Sequence, residues 1–129
     1  MQQEQQNKEF IIRYGQAING QIKTRAIIEE YVTDETLIEH ILFFDGVFPK
    51  YELVIDEIIA EGNRVTMRAR FRGKHEGEFN GIPPTRKSVE MQFAIGYEIE
   101  NNKIVSHWLI ADQLSLLEQL GVSAAEPAH

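Results

Sequence analysis

Val89-Glu90-Met91-Gln92-Phe93-Ala94-Ile95-Gly96-Tyr97-Glu98-Ile99-Glu100 is the stretch that decides the fold of this chain. Val89, Met91, Phe93, Ile95, Tyr97 and Ile99 alternate with Glu90, Gln92, Ala94, Gly96, Glu98 and Glu100. A period of two puts one apolar face along a long β-strand. Asn101-Asn102 reads as a turn into a second strand over residues 103–112. Upstream, Val65, Met67, Ala69, Phe71, Gly73 and His75 alternate with Thr66, Arg68, Arg70, Arg72 and Lys74, again a half-buried strand. Gly62-Asn63 is a hairpin signal that joins it to a strand over residues 51–61, with a bulge expected near Glu57 or Ile58.

Before this meander the period is helical. Residues 8–19 carry Phe10, Ile11, Tyr14, Ala17 and Ile18 on one stripe, and residues 22–31 carry Ile22, Ala26, Ile27 and Tyr31. A third helix starts with Thr33 or Asp34 as N-cap, turns Leu37, Ile38, Ile41, Leu42 and Phe44 inward, and stops near Gly46 ahead of Pro49. After the last strand Leu114, Leu116, Leu117 and Leu120 mark a short helix ending at Gly121. The reading is α+β: three N-terminal helices packed on a strongly curved antiparallel sheet, with a short C-terminal helix. Long amphipathic strands curl, and a curled sheet closed by helices is a cone with an apolar interior fit for a small molecule. Residues 1–6 and 122–129 are expected to fray.

At 129 residues the chain fits a single domain, residues 1–129. Apolar residues make up 43% and charged residues 26%, as in ordinary globular proteins. A net charge of −7 argues against nucleic acid as a partner, because phosphate binding needs clustered cations. Arg64, Arg68, Arg70, Arg72 and Lys74 recur with period two and read as a solvated sheet face. There is no cysteine, residues 1–6 are polar and glutamine-rich, and no window approaches 18 consecutive apolar residues. A small, acidic, cytoplasmic protein with no membrane span is expected.

The chemistry concentrates at the end of the last strand, His107-Trp108-Leu109-Ile110-Ala111-Asp112. Asp112 has two readings. A carboxyl group at the rim of an apolar pocket is a candidate general base, and an Asp just before a helix is a candidate N-cap. On an unbroken strand Trp108, Ile110 and Asp112 share the inward parity and His107 points out, whereas His75 points in with Met67 and Phe71. His75 is either a satisfied core histidine or an acid/base partner. No His-x-His or His-x-x-x-His spacing suggests a metal, and no Gly-x-Gly-x-x-Gly or Walker loop suggests a nucleotide, so no cofactor or metal is expected. Tyr14, Phe44, Phe71, Met91, Phe93 and Trp108 are the aromatic and soft side chains chosen as lining for a small hydrophobic ligand.

From residue 51 to 121 the chain resembles the SnoaL-like polyketide cyclases, also called ester cyclases, of the NTF2-like superfamily. The resemblance rests on Ile59-Ala60-Glu61-Gly62-Asn63-Arg64-Val65, on His75-Glu76-Gly77-Glu78-Phe79-Asn80-Gly81-Ile82-Pro83-Pro84-Thr85-Arg86-Lys87, and on Lys103-Ile104-Val105-Ser106-His107-Trp108 with Asp112 and Gln119-Leu120-Gly121. It implies an NTF2-like cone and a cofactor-free intramolecular aldol condensation. The family's acid/base aspartate follows a tryptophan at the spacing of Trp108 to Asp112, so the resemblance implies that role for Asp112. His75, within the middle motif, is implied as donor or second acid. Thr85-Arg86-Lys87 stands where the family usually has Thr-Gly-Lys, Lys74 where it has a small Thr before the histidine, and the segment between the second and third helices is short. Family habit implies a homodimer. Two other activities fit the same fold: a non-catalytic module for ligand binding or dimerisation, and a hydrolase using an Asp-activated water.

Overall fold

In the computed structural model, which describes residues 2–121, the alternating stretches form a four-stranded antiparallel meander in the order β1 (Glu52–Glu61), β2 (Arg64–Lys74), β3 (Ser88–Glu100) and β4 (Lys103–Ala111). Helices α1 (Gln2–Ile18), α2 (Arg25–Glu29) and α3 (Glu35–Val47) precede it, and α4 (Gln113–Gln119) follows. This is the α+β arrangement read from the periodicities. Among the described residues no helix is long and apolar enough to cross a membrane.

The inner sheet face follows the alternation. Val65, Met67, Ala69 and Phe71 of β2 are buried, as are Val89, Met91, Phe93, Ile95, Tyr97 and Ile99 of β3. On the outer face the basic stripe meets acids: Arg70 donates from Nε and Nη2 to the Asp56 carboxylate, and Arg72 Nε donates to Glu90 at 2.7 Å. Asp56 is the extra residue of a bulge in β1 between Ile55 and Glu57. Gly96 pairs with Trp108 across the β3–β4 ladder, and the indole lies against Gly96 so closely that a Cβ there would overlap it.

A second bulge changes the outcome for β4. Glu98 pairs with Ser106 but Ile99 pairs with Ile104, which leaves Val105 opposite no partner. Ile104 is held in place from the other side as well: its N–H donates to Tyr31 O, its carbonyl accepts from the Thr33 N–H, and it bridges Val32 in parallel. Buried Ile104 therefore keeps the inward parity, and one inserted residue reverses the parity of everything after it. Trp108 and Ile110 lie on the outer face, 44% and 70% exposed, while Leu109 and Ala111 pack against the core. The expectation that Trp108 and Asp112 point in and His107 points out is corrected on this ground.

The helices also differ in detail from their periodic stripes. Residues 2–6, expected to fray, are helical because Glu4 accepts the Gly62 N–H at 2.9 Å and Asn7 Nδ2 donates to Gly62 O at 3.1 Å, which fastens α1 to the β1–β2 turn. Residues 122–129, also expected to fray, lie outside the described residues. The second helix shrinks to α2, with Thr24 as its N-cap and Ile28, not Ile22, buried. Its would-be first turn is held in another conformation by Lys23, whose N–H and ammonium both bond Asp45 and whose ammonium also donates to Tyr51 O. Asp34 caps α3, which runs one residue beyond Gly46.

Candidate functional site

The helices and the inner sheet face line a cavity of ≈ 80 Å³. Leu37, Ile41 and Phe44 of α3 form one wall and Phe71, Met91, Phe93 and Ile95 of the sheet the opposite one. Leu109 and Ala111 of β4 reach it because of the Val105 bulge, and Leu116 of α4 closes one end. A neighbouring space of ≈ 170 Å³ between α1 and β1 shares Tyr14 and Leu53 with this wall.

Polar groups on the wall are few: Tyr14, Tyr51, Tyr97, His40 and Gln113. The Tyr14 and Tyr97 rings meet edge to face at 6.1 Å, and the Lys23 ammonium stands 3.9 Å from the centre of the Tyr51 ring. Burial pushes all three phenols well above their ordinary range, so each keeps its proton at neutral pH. Among the described residues none of the three hydroxyls bonds to a protein group, and none is among the fully enclosed atoms that lack a partner. All three residues border the cavity, and Tyr14 also borders the neighbouring space.

His40 projects from α3 with its ring 4.6 Å from that of Phe44. Burial lowers its pKa, with a smaller contribution from the nearby His107, so the imidazole is held neutral with a lone pair free to take a proton. Behind it His107 Nδ1 donates to Asp34 Oδ2 at 2.7 Å, both side chains being largely buried. A carboxylate only accepts, so the proton of this bond sits on Nδ1. Among the described residues no group of three histidine or acidic side chains is arranged to hold a metal ion.

Of the residues singled out from the sequence, Tyr14, Phe44, Phe71, Met91 and Phe93 meet on this wall and Trp108, Asp112 and His75 do not. Trp108 is excluded by the β4 bulge. Asp112 is exposed and accepts the Ser115 N–H at 3.0 Å as the N-cap of α4, while its own N–H donates to Gln92 O. His75 is fully buried, but between β2 and the 75–87 loop: Nδ1 accepts the Thr85 N–H at 3.1 Å, and its ring lies 5.6 Å from that of Phe48. Nε2 of His75 is enclosed and has no partner among the described residues. The sequence reading missed His40, Tyr51, Gln113 and the His107–Asp34 pair as site residues. His40 lies one position before inward-facing Ile41 and three after Leu37, so the stripe of α3 contained a signal for it; nothing local announced the bulge that turns His107 inward.

Residues 34–120 match the family described as SnoaL-like polyketide cyclase. No curated protein matches the chain in sequence. Among solved structures, AclR of Streptomyces galilaeus, proposed to be a hydroxylase, is 24% identical, with 96% of this chain and 86% of that one covered at a TM-score of 0.81. IdmH of Streptomyces antibioticus, proposed to be a polyketide cyclase, is 25% identical over 91% of this chain and 99% of its own, with a TM-score of 0.75. A protein of Jannaschia sp. CCS1, proposed to be a SnoaL-like polyketide cyclase, is 22% identical over 96% and 95%, at 0.78.

Proposed function

The chain belongs to the SnoaL-like polyketide cyclase family, and from that premise we propose that it is a small-molecule enzyme performing cofactor-free acid/base chemistry next to a carbonyl. The observation that carries this reading is the composition of the cavity: an apolar pocket whose few polar residues are one histidine held neutral, three tyrosines and one glutamine. A base in such a place removes a proton from the carbon beside a carbonyl, and the electron pair moves onto the carbonyl oxygen as an enolate. The enolate carbon then bonds to a second carbonyl carbon of the same molecule, and the resulting alkoxide takes up a proton. The steps require a positioned base, hydrogen-bond donors where negative charge develops, and exclusion of water.

His40 is the base in this reading, because it is on the wall and neutral. Asp112 is the second candidate, supported by the family spacing; to act it must release the Ser115 N–H and turn past Gln113. The two are separated by incubating acetophenone in D₂O with the protein and following loss of the methyl proton signal by NMR. Wild-type protein accelerates exchange, His40→Gln lowers the acceleration about 10²–10⁴-fold, and Asp112→Asn leaves it within about twofold of wild type. Loss of exchange in Asp112→Asn with retention in His40→Gln returns the role to Asp112. Absence of exchange in wild type leaves ligand binding without catalysis.

The reading extends to a homodimer, supported by exposed Trp108 and Ile110 on the outer face of β4. Sedimentation equilibrium of wild type and Ile110→Glu tests it, with a dimer expected for the first and a monomer for the second.

A further inference from the structure

We infer that the space between α1 and β1 is a subsite for an unbranched aliphatic tail, carried by a ligand whose carbonyl end occupies the cavity. The inference rests on the reading of the cavity as the ligand site and adds the shape of what binds there. At ≈ 170 Å³ the second space is larger than the ≈ 80 Å³ cavity, and Tyr14 and Leu53 belong to the walls of both.

The two walls differ in chemistry. Phe44, Phe71, Phe79 and Phe93 give the cavity flat aromatic surface. Ile11, Ile12, Leu53, Ile55 and Met67 give the second space aliphatic surface, and none of the described residues that line it is charged. Its two side-chain amides leave that surface apolar. Asn19 Nδ2 donates to Leu53 O and Asn19 Oδ1 accepts the Leu53 N–H, each at 2.9 Å, while Gln16 is exposed. Such a wall favours hydrocarbon and rejects a charged or hydroxylated tail, which would be buried without a hydrogen-bond partner.

The space is built into the fold. Asn19 ties the end of α1 to Leu53, and Glu4 and Asn7 tie its start to Gly62, just past the far end of β1. Between these ties Gly15 presents no side chain, and β1 carries its bulge beside Ile55. Crowding does not demand glycine there, since a Cβ on Gly15 would meet nothing within 4 Å. Backbone conformation does not demand it either, because Gly15 lies within α1 and is not among the glycines of positive φ. Glycine inside a helix is destabilising relative to alanine. The room it leaves against β1 accounts for its place.

The test uses acetophenone, butyrophenone and hexanophenone, which share one head and differ only in tail length, titrated into the full chain. Affinity is expected to rise about two- to fourfold per added methylene, with hexanophenone displacing acetophenone. Gly15→Leu fills the space and is expected to bring the affinities of hexanophenone and acetophenone within about threefold of each other. Ile12→Trp, at a partly exposed position, narrows the same space and decides the matter where Gly15→Leu fails to fold. Equal affinities along the series, or no binding of any of the three ketones, would overturn the inference. So would a series unaltered by both substitutions, or hexanophenone bound beside acetophenone rather than in its place. Acetophenone exchange on the same preparations separates the two readings: exchange with a flat series removes the tail subsite alone, and a rising series without exchange removes the catalytic reading alone.

Discussion

His107 Nδ1 lies 2.7 Å from Asp34 Oδ2, and the other oxygen of the same carboxylate accepts the Leu37 N–H at 3.2 Å. One side chain thus caps α3 and ties it to β4, the strand whose bulge turned His107 inward. Asp34→Ala removes the cap and leaves His107 without its acceptor. It is expected to lower unfolding free energy by about 2.5–4 kcal/mol, from a cap of ~1 kcal/mol and a charge-assisted hydrogen bond of ~1.5–3 kcal/mol. Asp34→Asn keeps a capping oxygen and should lose about half as much. Urea titration of the variants checks the order; equal losses would show that the oxygen kept by Asn contributes nothing and that the carboxylate charge carries the whole effect.

His75 holds the 75–87 loop. Its backbone N–H donates to Lys87 O and its carbonyl accepts the Arg86 N–H, each at 2.9 Å, while its ring accepts from Thr85. His75→Ala should destabilise by about 2–4 kcal/mol through lost packing and an orphaned Thr85 N–H. Acetophenone exchange per folded molecule should stay within about twofold of wild type. A large loss of exchange with little loss of stability would give His75 a chemical role instead.

Arg86 adopts φ 63°, in the left-handed region, where the resemblance led one to expect glycine. Left-handed conformation costs an L side chain about 1–2 kcal/mol, against an entropic cost of glycine of ~0.5–1 kcal/mol. Arg86→Gly should therefore raise stability by about 0.5–1 kcal/mol. Thermal and urea unfolding measure it, and a loss of stability would mean that the exposed guanidinium has a compensating contact.

Asp112 caps α4 through Ser115 N–H. Asn caps as well as Asp, so Asp112→Asn should leave stability within about 0.5 kcal/mol and Asp112→Ala should cost about 1 kcal/mol. If Asp112→Asn also leaves exchange intact, capping accounts for the residue.

His40 gives the pH dependence a sign. Burial holds its folded pKa below the ordinary 6.5, so the unfolded chain binds the proton more readily than the folded one. Its favourable contribution is complete above 6.5 and is lost as the pH falls through the lowered folded value. Wild-type stability should fall on acidification from neutral pH, and His40→Gln should flatten that slope, as urea midpoints across the range would show. An unchanged slope would place the loss in other groups.

The element types of the sheet were legible along the chain because each depends on near neighbours. The alternation of residues 89–99 put Val89, Met91, Phe93, Ile95, Tyr97 and Ile99 in the core, and the same parity on β2, carried one residue past its end, buried Phe71 and His75. Asp34 as a cap, Gly62-Asn63 as a turn and the apolar stripe of α3 were legible for the same reason. Aromatic side chains at inward positions accordingly gave most of the cavity wall, Tyr14 and Phe93 among them.

What the chain did not disclose depends on contacts distant in sequence. Ile104 is shared between β3 and the link from α2 to α3, and that double engagement forces out Val105 and reverses the faces of β4. Period-two patterning is blind to one inserted residue, yet the insertion sends Trp108 outside and brings His107 to Asp34. Lys23 likewise shortens α2 by reaching Asp45, 22 residues away. The sequence by itself determined the family, the α+β class and an apolar interior, since hydrophobic period and local turn chemistry act over a few residues. Only the tertiary structure decided which polar residues border the cavity: His40 and three tyrosines, with Asp112 left outside as a helix cap. Long-range pairing fixes register, and register selects the face on which each side chain does its chemistry.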